Sequence, residues 1–292
     1  MKILHNVLLL PREKINVKEI LYNAGYELED AAKTLAATGI YGFHVESKRQ
    51  LSKFVLDGIK LASDYNSYIF EDIDSIVVVS QSYDQRIPSL STRIQKQICA
   101  PSSCFCVDII DGCAGFIKAM SFCSMLFDYG FKKTLIVAGD LNSQLTRNSE
   151  LSTRILFGDG ISFVIVTPSN DKHSFILRNS GDNEGVISCS INQNEMLMNG
   201  FEVFRFTRNE VPNLLSEYLD LNQQTLADFE LVGLHQASKL VVDSLFDLIQ
   251  FSNRYAENFA CSHIGNIGAG SIGAWLMSVR HLSSLNGAKM LA

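Results

Sequence analysis

Three residues stand where this chain could do chemistry: Cys113 in "DIIDGCAGF", His235 in "GLHQAS" and Asn266 in "HIGNIGAG". Cys113 follows a run of extended type and opens a nearly all-apolar helix. The unpaired backbone N–H groups of a helix's first turn favour a thiolate, so the spot suits a nucleophile. A cysteine can equally be small core filler. His235 directly follows the apolar run "FELVGL", again where a strand gives way to a helix. Asn266 precedes a helix among glycines that let a substrate approach the backbone. In open parallel sheets ligands gather at the carboxyl ends of strands, the position of Cys113 and His235, and Asn266 stands at a comparable junction before a helix. Each also has a plain structural reading. Asn is a preferred helix cap, His at a strand end can bond a neighbouring carbonyl, and Cys113 can simply pack.

The remaining histidines and cysteines suggest less. His5 lies in the first strand, while His44, His173 and His281 fall near surface segments and read as structural or solvated. Seven cysteines, at 99, 104, 106, 113, 123, 189 and 261, form an odd set without framework spacing. Free thiols in a chain of this length fit a reducing cytoplasm. Cys104 and Cys106 lack a second pair or a histidine at ligand spacing, so no metal is expected there.

The elements that must position the three residues follow an α/β grammar. "KILHNVLLL" reads as a strand, and its apolar run breaks at Pro11 without a cleavage site, unlike a signal peptide. "INVKEILYNAG" opens a helix with Asn16 and Glu19 at capping-box spacing. "SKRQLSKFVLDGIKLASDY" has helical period, "IDSIVVVSQS" reads as a strand buried on both faces, and "PSLSTRIQKQIC" as a helix. "SCFCVDII" is a strand leading to Cys113, whose helix ends at Gly130. "KTLIVAGD" and "FGDGISFVIVTP" add two more strands. In the second half "HSFILRNS" and "FELVGLHQ" read as strands, with helices over "FEVFRFTRNEVPNLLSEYLDL", "ASKLVVDSLFDLIQF" and the segment after Asn266. Alternating strands and helices predict parallel sheets in two similar halves, 1–170 and 171–292, with no Pro/Ser-rich linker between them.

Composition narrows the class of partner. Of 292 residues, 47% are hydrophobic and 19% charged, enough apolar material for a sizeable core. Lys and Arg number 25 against 31 Asp and Glu, a formal charge of −6 without a basic block, which argues against nucleic acid. No uncharged apolar run reaches the 18 or so residues that span a bilayer.

The words around the three residues resemble a known family. "DGCAGF" (111–116), "ILFGDG" (155–160), "LHQAS" (234–238) and "GNIGAGSI" (265–272) occur in order. They are similar to the active-site segments of the β-ketoacyl-acyl-carrier-protein synthase III family, of the thiolase superfamily. "TGI" (38–40), "IPS" (87–89) and "NGFEVFRF" (199–206) add support. The resemblance implies a thiolase fold, a duplicated five-layer α-β-α-β-α core usually paired as a homodimer. It makes Cys113 the nucleophile that stores an acyl group from a thioester. It gives His235 and Asn266 the task of stabilising the enolate formed when a malonyl-type extender loses CO₂. It implies acyl carrier protein or coenzyme A as thioester partners and no cofactor or metal. Asp159, in "FGDG", is expected to brace backbone.

Two departures qualify the resemblance. Where family members carry a Trp and an Arg that grip the adenine of coenzyme A, this chain has Lys33 and Ala37; Trp275 lies in the last helix. An ammonium and a methyl cannot rebuild that clamp, which points to a carrier-protein-bound or longer acyl donor. The chain also stops at "SSLNGAKMLA", where the family's closing strands would begin. Without a replacement one oxyanion donor would be missing, on the order of 3 kcal/mol in barrier, and a sheet edge would be open to a companion chain. The leading expectation is a cytoplasmic acyltransferase that condenses decarboxylatively in fatty-acid or polyketide-like biosynthesis. The rivals are acyl transfer to an alcohol or amine, and a non-catalytic subunit of an active paralogue.

Overall fold

The computed structural model describes residues 1–147, 149–170, 173–181, 184–190, 195–251, 259–279 and 290–292. Its strands are β1 (Lys2–Leu9), β2 (Glu13–Asn16), β3 (Gly42–Val45), β4 (Ser75–Val79), β5 (Phe105–Ile109), β6 (Thr134–Leu141), β7 (Asp159–Thr167), β8 (Ile187–Cys189), β9 (Met196–Met198), β10 (Leu231–Val232) and β11 (Met290–Leu291). The helices are α1 (Val17–Asn23), α2 (Leu28–Thr38), α3 (Leu51–Tyr65), α4 (Leu90–Gln97), α5 (Gly115–Asp128), α6 (Asn142–Thr146), α7 (Leu151–Arg154), α8 (Gly200–Asn222), α9 (Lys239–Ile249) and α10 (Ser271–Val279).

The β-branched runs build one five-stranded sheet in the order β1-β7-β6-β4-β5. All residues of β4 and β6 are buried, as strands covered on both faces require. Helices α3 and α4 cover one face through Phe54, Ile59, Leu90 and Ile94. The other face meets Phe116, Ala119 and Cys123 of α5 and Ile272 of α10. The sheet is therefore the middle of a sandwich whose second slice draws on both halves of the sequence.

Four expectations need correction. The sheet is mixed: β6, β4 and β5 run parallel, but β7 is antiparallel to both β6 and β1. The connection through α6 and α7 returns the chain beside the strand it left, and β7 runs back in the opposite direction. "HSFILRNS" forms no ladder over 173–180, because an apolar pattern makes a strand only where a neighbour supplies backbone partners. "FELVGLHQ" shrinks to the two-residue β10, which pairs in parallel with β11. His44 is buried rather than near the surface, its Nδ1 2.5 Å from the Pro11 carbonyl oxygen. His281 and most of "SSLNGAKMLA" lie outside the described residues. At α1, Asn16 caps as expected, accepting from the Lys18 N–H at 2.9 Å.

Because β7 is antiparallel to β6, its first residue, Asp159, pairs with the last residue of β6, Leu141. The carboxyl ends of β4, β5 and β6 and the start of β7 thus share one end of the sheet. Ser80, Gln81 and Ser82, the segment from Asp111 to Cys113, Asp140 and Asp159 all collect there.

Candidate active site

Cys113 lies in the turn after β5, two residues before the first residue of α5, and is half-buried. Both neighbouring glycines allow close approach. A Cβ on Gly115 would fall 2.3 Å from Val79 Cγ1 and 3.8 Å from the Ala269 methyl; one on Gly112 would fall 3.6 Å from Gln81 Oε1. The turn is thereby pressed between the end of β4 and the glycine-rich segment carrying Asn266.

Asn266 is buried, and its surroundings fix which way its amide points. Oδ1 accepts from the Gly268 N–H and from Ser271 Oγ, both at 3.0 Å. With the oxygen committed, the NH₂ is the end left to face the cleft. The Asn266 side chain is one of the influences that lower the pKa of the Cys113 thiol, weaker than the burial that raises it. The backbone of Asn266 is held just as firmly. The N–H donates to Leu156 O at 2.8 Å, and the carbonyl accepts from Gly158 N–H at 3.1 Å and Asn142 Nδ2 at 3.2 Å. Gly158 is needed for this contact, since a Cβ there would sit 2.1 Å from Ile264 O. The "FGDG" turn thus abuts the Asn266 loop.

His235 lies in the loop after β10. Both ring nitrogens are shielded from solvent and neither has a hydrogen-bond partner among the described residues. Burial pushes its pKa down to about 4, so the ring is neutral at physiological pH and offers one unused N–H. Gln236 braces the loop: its Nε2 donates to Leu234 O at 2.7 Å and its Oε1 accepts from the Ala260 N–H at 2.7 Å. Gly233, just before the loop, packs against the ring of Trp275, where a Cβ would fall 2.4 Å from Cζ3. His235 is therefore tied to the chain on either side of Asn266, while no hydrogen bond joins its ring to Cys113.

The electrostatics reverse one sequence expectation. The helix N-terminus does not make Cys113 a resting thiolate. Burial first, and then the Asp140 carboxylate, push the thiol up to about 12, against the opposing pull of backbone N–H and Asn266. Asp159 is pushed up to about 6 by burial, yet both its oxygens are occupied by Glu46 N, Ser143 N and Ser143 Oγ at 2.6–2.7 Å. It braces backbone, as its position in a tight turn suggested.

Sequence reasoning missed Asp140, Ser80, Ser82 and Gln236. Asp140 left a trace: it is the one charge ending the otherwise apolar strand "TLIVAGDL". Ser80 and Ser82 are legible only once β4 is known to lie beside β6.

The positions of the expected nucleotide clamp lie elsewhere. Lys33 is exposed and paired with Glu29 at 2.7 Å. Ala37 lines a surface groove of about 500 Å³ between α2, α8 and α9, with Phe204, Arg208, Asp243 and Asp247; none of Cys113, His235 or Asn266 borders it.

The chain is similar to several known proteins. A family model of 3-oxoacyl-[acyl-carrier-protein (ACP)] synthase III matches residues 107–185, which include Cys113. The β-ketoacyl-[acyl-carrier-protein] synthase III of Streptococcus agalactiae serotype III (strain NEM316) is 26% identical over 250 residues, 80% of this chain and 76% of that one. The crystal structure of 3-oxoacyl-(acyl carrier protein) synthase III from Pseudomonas aeruginosa PAO1 superposes with a TM-score of 0.84 at 19% identity, covering 99% of this chain and 92% of that one. The priming β-ketosynthase of the R1128 polyketide pathway gives 0.78 at 21% identity, with 98% and 88% covered. The fold is the thiolase fold that the sequence motifs implied.

Proposed function

We propose that the chain is a member of the 3-oxoacyl-[acyl-carrier-protein] synthase III family, to which its sequence and fold are similar, and a condensing acyltransferase that works through Cys113, His235 and Asn266. Cys113 attacks an acyl thioester and keeps the acyl group as a covalent intermediate. A malonyl-type thioester then enters, and loss of CO₂ leaves an enolate. The Asn266 NH₂, turned toward the cleft by the bonds on its oxygen, and the N–H of neutral His235 stabilise that charge. The enolate attacks the acyl carbonyl, the carbon–sulfur bond to Cys113 breaks, and a β-ketoacyl thioester departs. The two halves of the chain, 1–170 and 171–292, supply the nucleophile and the donors respectively.

The observation that supports this reading is that Asn266 Oδ1 is already committed to the Gly268 N–H and Ser271 Oγ, in a loop that packs through Ala269 beside Gly115 in the turn after Cys113. A carboxamide locked in that sense suits an incoming oxyanion. Lys33 in an ion pair and Ala37 beside an open groove favour an acyl donor carried by a protein over one held by its adenine. The free thiols suit a reducing cytoplasm. The unpaired outer side of β5 suits a homodimer.

Incubation with radiolabelled acyl thioesters, on carrier protein and on coenzyme A, is expected to label Cys113, and Cys113→Ala is expected to remain unlabelled. A malonyl thioester should then release CO₂ in step with loss of the label. No label from any acyl thioester would reject the reading. Label lost to an alcohol or amine without CO₂ would replace condensation by simple acyl transfer.

A further inference from the structure

The condensation asks the Asn266 amide to present its NH₂, yet the two ends of a carboxamide have nearly the same shape. Packing alone does not choose between them; the polar groups behind the amide do. Two donors stand there, the Gly268 N–H and Ser271 Oγ, each 3.0 Å from Asn266 Oδ1. Ser271 opens α10 and is fully shielded from solvent. The direction of its hydroxyl is settled. Oγ accepts from the Ile267 N–H at 3.1 Å, which occupies a lone pair and leaves the single O–H to point at Oδ1.

Neither donor can follow the amide if it turns. Gly268 has φ +62°, and a Cβ there would fall 2.3 Å from Oδ2 of Asp140. That carboxylate is itself fixed behind the loop. Its Oδ1 accepts from Ser80 Oγ at 2.6 Å, Gln81 N at 2.7 Å, Ser82 Oγ at 3.0 Å and Ser82 N at 3.1 Å, while Oδ2 has no hydrogen-bond partner among the described residues. The first turn of α10 is pinned to the sheet as well. Ser162 Oγ of β7 donates to Gly270 O, and Asn6 Nδ2 of β1 donates to Gly273 O, both at 2.8 Å. A Cβ on Gly273 would fall 2.4 Å from Ser162 Oγ, so helix and strand are in direct contact. An amide turned end for end would set its NH₂ against the Gly268 N–H and leave the Ser271 proton without its acceptor. Both faults would be buried, where an unmet donor is costly.

We infer that Ser271 is a positioning residue for the condensation: its hydroxyl holds the Asn266 oxygen away from the cleft and so fixes the NH₂ as the donor to the enolate. This rests on the reading of Asn266 given above. The bonds also run in series, from the Ile267 N–H to Ser271 Oγ and from the Ser271 O–H to Asn266 Oδ1. Each link polarises the next, so an amide that accepts at oxygen donates more strongly at nitrogen. Ser271 acts entirely through Asn266.

Acylation of Cys113 forms no enolate, so the two half-reactions separate this role from a structural one. In Ser271→Ala, CO₂ release from a malonyl thioester by enzyme already acylated should fall about tenfold, the worth of one strong hydrogen bond. The loss should appear in kcat with KM unchanged, as for an interaction realised in the transition state. Acylation by a radiolabelled acyl thioester should proceed at the wild-type rate. Asn266→Ala removes the donor itself and should slow CO₂ release about 100-fold. Adding Ser271→Ala to that variant should cost nothing further, because nothing is left to position. CO₂ release at the wild-type rate in Ser271→Ala overturns the inference. A parallel fall in acylation and CO₂ release also overturns it, and so does an undiminished loss in the Asn266→Ala background; either marks a role in the fold alone. Full CO₂ release by Asn266→Ala rejects the reading of Asn266 and takes this inference with it, and a wild-type chain that accepts no acyl group rejects the reading of Cys113 as well.

Discussion

At the scale of single residues, burial and unequal hydrogen bonding assign the roles. His235 shows it most clearly. Its ring has no hydrogen-bond partner among the described residues to favour a charge, and burial brings it down to about 4. A neutral ring donates one hydrogen bond and loses that neutrality only when pH approaches 4. Decarboxylation by enzyme already acylated on Cys113 should therefore show no loss from His235 between pH 8 and pH 5. His235→Ala should reduce CO₂ release about 100- to 1000-fold, the usual effect of removing one donor to a developing oxyanion. The acylation of Cys113 should change only a few-fold, since that step makes no enolate. Scintillation counting of CO₂ and the mass of the Cys113 peptide separate the two, and equal losses in both would contradict the assignment. At this scale the sequence was legible for residue types that announce reactivity. Asp140 escaped because its meaning depends on which of its oxygens is occupied, and that depends on the β4–β6 pairing.

At the scale of elements, strands that carry their own evidence were the readable ones. "SIVVV" and "TLIVAGDL" are largely apolar and β-branched, and both lie buried on two faces of the sheet. "HSFILRNS" has an apolar centre but pairs with no strand among the described residues, so its pattern misled. Chain direction was equally hidden: nothing in the residues of β7 marks it as antiparallel to β6 and β1. The pairing order also exposes β5 as an edge. Its outer side has no backbone partner among the described residues, and the Phe105 ring meets Phe122 at a tilt and Phe131 edge-on, with centroids 5.8 and 5.9 Å away. Ile110, just past the strand, is 81% exposed, and Met125 of α5 is 51% exposed. An edge with flanking apolar side chains invites another strand, and an identical β5 related by a two-fold axis would satisfy it. Native mass measurement at micromolar concentration should give twice the chain mass. Ile110→Asp, which sets like charges near the axis, should weaken the dimer at least tenfold while leaving the circular dichroism spectrum unchanged. A wild-type chain that remains monomeric would remove the β5 interface from the proposal.

At the scale of the whole molecule, the cleft depends on one sheet being shared by distant parts of the chain. The Cys113 turn and Asp140 come from the first half, whereas Asn266 and α10 reach back from the second to close over them. That convergence was readable from the ordered motifs, but the interior it creates was not. Cysteines scattered along the sequence without spacing turn out to be core residues: Cys123 and Cys261 are fully shielded, and Cys104 is buried. Burial pushes the pKa of each from an ordinary 9.0 up to about 12. In the unfolded chain these thiols ionise near 9, whereas in the folded chain they keep their protons until about 12. Across that window the folded state binds more protons, so stability is intact below pH 9 and is lost as pH rises. Each such thiol contributes a slope of about 1.4 kcal/mol per pH unit once the unfolded form is ionised. Urea unfolding of the wild-type chain should consequently show a midpoint that holds from pH 7 to 8 and falls steeply between pH 9 and 10. Cys123→Ala combined with Cys261→Ala should lower stability at pH 7, because two side chains leave small cavities, and should flatten the fall above pH 9. An equally steep fall in the double variant would show that groups other than these buried thiols govern alkaline unfolding, and Tyr83, raised by burial beside Asp108 and Asp140, would be the next to remove.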